Sequence, residues 1–291
     1  MKSGLWQLSF VVPAASYEAA FDHFDEIALS AASFEYDGNG RDDADHWQID
    51  ITFDAEPDLL SFEAALNGWH AVKINLAPVQ DQDWLNVVAE AIKPIAVGPF
   101  FIHSAKDRDQ AASAIHPIEI EAGLAFGSGE HPTTRACLNA LLSLPKSAHS
   151  ILDMGAGSAV LAIAAAKLWP NSKALGIEID PRAAAVGQEN TEKNGVAHQV
   201  QVIADDGYNA QAVKARGPFD LIFANILADA VKAMAGDAFA ATRPGGHLIV
   251  SGLLTRQAID VTAAHQVAGF RQIHQIDDDG WSAIVFEKPM V

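Results

Sequence analysis

Hydrophobic and polar positions alternate with period two over residues 5–12, which predicts a strand, and residues 16–32 then suit an amphipathic helix opened by Ser16 with Glu18 in its first turn. Residues 34–36 read as a short strand, residues 37–46 as a polar turn, and residues 47–53 as a strand that alternates again. A helix over 57–66 and a strand over 71–76 complete a βαββαβ order, the ferredoxin-like pattern of a small α+β domain.

The pattern then changes to longer apolar runs. Residues 84–91 read as a connecting helix, 93–105 as a structured link with Pro94, Pro99 and one short strand at 100–103, and 115–121 as a further strand. The division expected is 1–92, a linker at 93–115, and 116–291. In the last segment, 150–154 is a strand, 155–158 a glycine turn, 160–168 an Ala/Leu-rich helix and 175–179 a second buried strand, which together make a βαβ crossover. A helix at 181–194 follows, with Pro181 in its first turn and Gly195 past its end. Strands at 200–204, 219–224 and 247–253 alternate with a helix at 228–241, and Pro244, Gly245 and Gly246 form a turn. Segments 270–276 and 281–287 around DDDG form a closing hairpin. The class is α/β.

Composition narrows the partners. At 49% hydrophobic residues over 291 positions the chain can bury a sizeable core, yet no apolar run approaches a membrane span and the start lacks the apolar core of a signal peptide. The reading is cytoplasmic. A formal charge of −18 argues against direct binding of a nucleic-acid backbone and would steer a basic protein substrate, although acidity also serves plain solubility. Cys137 is the single cysteine, so neither an internal disulfide nor a cysteine-rich zinc site is expected. The acids at 42–45 lack calcium-loop spacing, and no metal is expected.

Candidate chemistry gathers at strand ends. Gly155 and Gly157 allow a sharp turn with no Cβ in a ligand's way, and Glu178, 23 positions beyond Gly155, can accept from both hydroxyls of a ribose. The spacing fits the adenosine of NAD or of S-adenosylmethionine; the GxGxxG pattern is broken by Val160 and the GxGxG pattern, more mildly, by Ala159. The closing antiparallel hairpin favours S-adenosylmethionine. A glycine turn that only packs a helix on a sheet is the plain alternative. Asp205 and Asp206 end the next strand, where acids can accept from an adenine amino group, and Asn225 ends the strand after it. Residues 123–137, GLAFGSGEHPTTRAC, can present hydroxyls and N–H groups to a carboxylate at a helix N-terminus, or simply cap that helix through Thr133 or Thr134. His131 has no second ligand at metal spacing and reads as a hydrogen-bonded structural histidine.

These segments together carry a resemblance. GLAFGSGEHPTTRACL at 123–138, ILDMGAGSAVLAIAAAKL at 151–168, GIEIDP at 176–181, FDLIFANIL at 219–227 and SGLL at 251–254 resemble the PrmA-type methyltransferases, which modify protein L-eleven of the large ribosomal subunit. The resemblance extends more weakly through the linker and the ferredoxin-like start. It implies a Rossmann-like class I methyltransferase domain, a seven-stranded sheet with the closing hairpin, behind a substrate-recognition domain. It implies S-adenosylmethionine contacts at Thr134, Gly155, Glu178 and Asn225, to which the spacing adds Gly157 and Asp206, with Asn225 also orienting the entering amine. The expected activity is N-methylation of lysine side chains, the terminal amine, or both, by a protein expected to be monomeric. Three positions depart from the family pattern: Glu130, Ala159, and Glu178 in place of an aspartate. They leave open another protein or small amine as substrate, or a cofactor-binding module without catalysis.

Overall fold

A computed structural model of the chain describes residues 5–25, 28–36, 46–79, 94–120, 131–144 and 147–290. It divides into two units, Met1–Val87 and Val88–Val291. The helix expected at 84–91, the acids at 42–45, and the segment 121–130 with Glu130 lie outside the described residues.

The first unit runs β1 (Trp6–Pro13), α1 (Ala14–Asp25), β2 (Ser30–Glu35), β3 (His46–Phe53), α2 (Leu59–Gly68) and β4 (Val72–Pro78). Its sheet order is β2-β3-β1-β4, and every neighbouring pair is antiparallel, which is the ferredoxin-like arrangement. Alternate residues Leu8, Phe10 and Val12 of β1 and Ile49, Ile51 and Phe53 of β3 meet Phe24 of α1 and Leu66 of α2. The expected helix over 16–32 stops at Asp25, because residues 30–35 pair with β3 from Ser30 opposite Thr52 to Glu35 opposite Trp47. SAASFE has helix-friendly composition, but backbone pairing along β3 and packing of Ala31 on the core override it.

In the second unit, β5 (Ile95–Val97), β6 (Phe100–His103) and β7 (His116–Glu119) form a small sheet; strands were expected at 100–103 and 115–121, and β5 is the addition. The large sheet contains β8 (Ser150–Met154), β9 (Lys173–Glu178), β10 (Val200–Ala204), β11 (Phe219–Asn225), β12 (Thr242–Leu254), β13 (Arg271–Asp278) and β14 (Trp281–Glu287). The helices around this sheet include α3 (Pro132–Ser143), α4 (Val160–Leu168), α5 (Pro181–Lys193), α6 (Gln211–Arg216), α7 (Ala228–Ala233), α8 (Ala235–Ala241) and α9 (Ala258–Ala268). Strand order is β10-β9-β8-β11-β12-β14-β13, parallel up to β12 and antiparallel from there. Successive side chains of a strand go to opposite faces: Ile151, Leu221 and Phe223 join one apolar cluster, and Leu152, Met154 and Ile222 the other. Because both faces are covered, these strands read as unbroken apolar runs. Met234, at φ −89° and ψ 3°, divides the single helix expected over 228–241 into α7 and α8. β12 begins at Thr242, before the expected turn at Pro244–Gly246, and a register shift between Phe219 and Leu221 absorbs the turn.

Asp220 ties the middle of this sheet together. Its Oδ2 accepts from the N–H groups of His149 and Ser150 at 2.6 and 3.0 Å, and its Oδ1 pairs with Arg243 Nη1 at 2.6 Å. One carboxylate, 7% exposed, therefore fixes the starts of β8, β11 and β12. Asp220→Ala leaves two strand-start N–H groups without their acceptor and is expected to lower stability by roughly 2 kcal/mol in urea denaturation. Asp220→Asn, which keeps an acceptor and loses the half-exposed ion pair, should lose about half of that or less.

Candidate functional site

The carboxyl ends of β8, β9 and β11 converge where β8 lies between strands connected in opposite directions, the crevice in which open α/β sheets hold ligands. The turn that leaves β8 has Gly155 at φ 69°, Gly157 at φ 50° and Ala159 at φ 63°. Three alternate residues are thus left-handed, and Ala159 adopts that conformation at a strain of about 1 kcal/mol that a glycine would avoid. The break in the glycine pattern is therefore one of composition, not of backbone shape.

Side chains from neighbouring strands hold the turn. Glu178 Oε2 accepts from Gly157 N–H at 2.9 Å, while its Oε1 accepts from the N–H groups of Ile179 and Asp180 at 2.9 and 3.2 Å. The carboxylate is fixed by three backbone donors, which leaves one lone pair, on Oε2, for a ribose hydroxyl. The glutamate's extra methylene, relative to aspartate, is taken up in reaching back to the turn. The sequence-predicted Gly155, Gly157 and Glu178 are therefore one cluster. Asp205 N–H donates to Glu178 O at 3.0 Å, which sets the end of β10 beside the cluster, and Asp206 is exposed just beyond it.

Asn225 ends β11 opposite Ser251 of β12. Its Oδ1 is buried and has no hydrogen-bond partner. The next residue, Ile226, is wedged between two glycines: a Cβ on Gly155 would lie 2.2 Å from Ile226 Cγ2, and one on Gly252, at φ 78°, would lie 2.2 Å from Ile226 O. Only glycine at both positions lets the chain after Asn225 pass so close to the turn.

Thr134 lies in the first turn of α3, fully buried, with Oγ1 also lacking a partner. Neither Thr133 nor Thr134 caps this helix, contrary to the simplest expectation. His131 does so, its Nδ1 accepting from Thr133 N–H at 3.4 Å and lying 2.9 Å from Thr133 Oγ1. Burial, and then Arg135, lower the His131 pKa, which keeps the ring neutral and able to accept. The His131 ring meets Trp281 edge-on at 4.5 Å, and Arg135 makes a two-pronged pair with Asp278 at 2.8 and 2.9 Å, so the closing hairpin fixes the start of α3. On the same helix, burial pushes the Cys137 thiol up to about 12, and its side chain hydrogen-bonds Ser251. It is an inert packing residue that places α3 against the strand beside Asn225.

Sequence reasoning missed Asp153. It is 2% exposed inside an apolar strand, and its Oδ2 accepts from Ala162 N–H at 3.0 Å, which supplies the N-terminal cap of α4 that Ala159 cannot. The available signal was an acid in an otherwise apolar strand directly before the glycines. Burial, opposed by the Ala162 bond and reinforced by Glu178, pushes its pKa up to about 7. A carboxyl raised on folding binds its proton more tightly in the native state, so its contribution is fully present below the ordinary carboxylate range and is lost as pH rises to about 7. Asp153→Asn keeps an acceptor for Ala162; its melting temperature relative to wild type should rise across that window, and parallel profiles for the two proteins would contradict the assignment.

The donor set fits S-adenosylmethionine: an acid for the ribose, a turn in which Gly155 and Gly157 carry no Cβ, and orphaned oxygens on Thr134 and Asn225. Among the described residues there is no group of three or more His, Cys, Asp or Glu able to hold a metal, and no helix long and apolar enough to cross a membrane. The profile of the ribosomal protein L11 methyltransferase (PrmA) family matches residues 14–289. A ribosomal protein L11 methyltransferase of Rhizobium rhizogenes is 37% identical over 272 residues, 91% of each chain. One from Rhodopseudomonas palustris is 36% identical over 274 residues, 92% of this chain and 90% of that one. The crystal structure of a ribosomal protein L11 methylase from Lactobacillus delbrueckii subsp. bulgaricus has a TM-score of 0.59 at 23% identity, over 68% of this chain and 98% of that one, and a methyltransferase from Pyrococcus furiosus has 0.51 at 18% identity, over 64% and 95%. Both share the fold of this chain. With its profile matched over almost its whole length and relatives this close, the chain belongs to the ribosomal protein L11 methyltransferase family.

Proposed function

We propose that this protein uses S-adenosylmethionine to N-methylate amines of ribosomal protein L11 in the cytoplasm: lysine side chains, the terminal amine, or both. The observation that carries the reading is Asn225 Oδ1, a buried acceptor without a partner at the carboxyl end of the strand next to the glycine turn. A buried acceptor left unpaired costs about 1–3 kcal/mol, a cost retained where a ligand's donor completes the bond.

S-adenosylmethionine supplies an electrophilic methyl group on a good leaving group, and the protein's task is to hold an amine in line with it. Asn225 Oδ1 accepts one N–H of the amine and thereby aims the nitrogen lone pair. Attack on the methyl would use that lone pair, with the carbon–sulfur pair returning to sulfur, and the proton released from nitrogen would pass to water because an amide cannot take it. An ammonium has no lone pair, so the amine must enter the reaction neutral. Thr134 Oγ1 and the N-terminus of α3 suit the carboxylate of the methionine moiety, and the free lone pair of Glu178 suits a ribose hydroxyl. Asp206 is placed for the adenine amino group. The first unit, with Asp54 and Glu56 exposed beyond β3, belongs to a chain whose charge of −18 would steer a basic protein toward it.

Transfer of labelled methyl to purified ribosomal protein L11, followed by mass mapping, tests the substrate. Asn225→Ala is expected to lower kcat about 10- to 100-fold through misplacement of the amine, with S-adenosylhomocysteine affinity changed less than about threefold. Thr134→Val should do the reverse and raise KM for S-adenosylmethionine about tenfold or more at unchanged kcat. Tight S-adenosylhomocysteine binding with no label on L11 would refute the substrate, and full activity of Asn225→Ala would refute its role.

A further inference from the structure

We propose that Gly187 and Asn190 of α5 are positioning residues for the cofactor turn, Gly187 by leaving room for the Gly157 carbonyl and Asn190 by binding Ser158 O. Asn190 is 1% exposed, and its Nδ2 donates to Ser158 O at 3.0 Å, holding the turn between Gly157 and Ala159 against the helix. Gly187 lies one turn earlier on the same helix. A Cβ there would lie 2.6 Å from Gly157 O, 3.3 Å from Val202 Cγ1 and 3.5 Å from Ala159 Cβ. Gly187 has ordinary helical backbone, so conformational freedom does not explain a glycine in mid-helix, where it is intrinsically unfavourable. Space does: the clash is with the Gly157 carbonyl, a backbone atom that cannot turn aside, while Ala159 Cβ lies at ordinary contact distance.

The consequence reaches the ligand because Gly157 carries both constraints. Its carbonyl faces Gly187, and its N–H binds the Glu178 carboxylate. A methyl at 187 pushes that peptide away and misaligns the acid that meets the ribose, while Asn225 and the amine path are untouched.

The test is S-adenosylhomocysteine affinity by calorimetry and initial rates at varied S-adenosylmethionine, for Gly187→Ala and Asn190→Ala. Gly187→Ala is expected to raise the dissociation constant and KM about tenfold or more, the usual size of an overpacking effect, with kcat at saturation within about twofold. Asn190→Ala, which removes only the bond to Ser158 O, should likewise raise KM without lowering kcat. Wild-type affinity in Gly187→Ala overturns the proposal. Where Gly187→Ala does not fold, Asn190→Ala decides: a raised KM at unchanged kcat supports the positioning role, and a wild-type KM overturns it.

Discussion

The second unit depends on one constraint above the others: the chain must leave β8 through three left-handed residues and enter α4 directly. Left-handed residues at 155, 157 and 159 bring the backbone under a ligand and leave α4 with no capping side chain of its own. Everything around the turn answers that deficit. Asp153 caps the helix from the preceding strand, Glu178 holds the turn from the next one, and Asn190 holds it from α5. Glycines at 155 and 252 let Ile226 close over it from β11. A turn of such strained backbone persists only when it is overdetermined, and here each bracket comes from a different element.

The topology then converts a rigid turn into a site. Because β8 has β9 on one side and β11 on the other, the segments leaving those strands bring Glu178 and Asn225 to flank the glycines. The third wall, α3, is placed by the closing hairpin through Arg135 with Asp278 and His131 with Trp281. The antiparallel end of the sheet thus does more than finish it. It fixes the helix whose Thr134 hydroxyl is buried and unpaired, so a ligand's carboxylate can find a preformed partner.

Much of this was legible. β8, α4 and β10 fall where the apolar runs and the glycines put them, because in a parallel sheet buried on both faces local composition and tertiary environment agree. That Gly155, Gly157 and Glu178 meet at one turn was legible for a related reason: their placement follows from backbone geometry and spacing. Residues 30–35 were not, since a run of alanine and serine becomes a strand only when β3 offers it an edge. The cap on α3 was missed because proline at 132 and two threonines draw attention from a histidine that acts only when kept neutral by burial. Asp153 escaped because a carboxylate that binds a backbone N–H nine residues on makes no local pattern.

Four buried side-chain atoms among the described residues lack hydrogen-bond partners: Thr134 Oγ1, Ser172 Oγ, Gln199 Oε1 and Asn225 Oδ1. Their positions in the sheet separate them. Ser172 and Gln199 directly precede β9 and β10, at the amino edge, where no element converges on a turn. Thr134 and Asn225 lie at the carboxyl edge, beside backbone that is held in place at the expense of strain. An unpaired polar group is a defect when its surroundings are ordinary and a binding determinant when its surroundings are preorganised at a cost. Gly155, Ile226 and Gly252 lock the chain beside Asn225, and that preorganisation is what favours the proposed role for its unpaired oxygen.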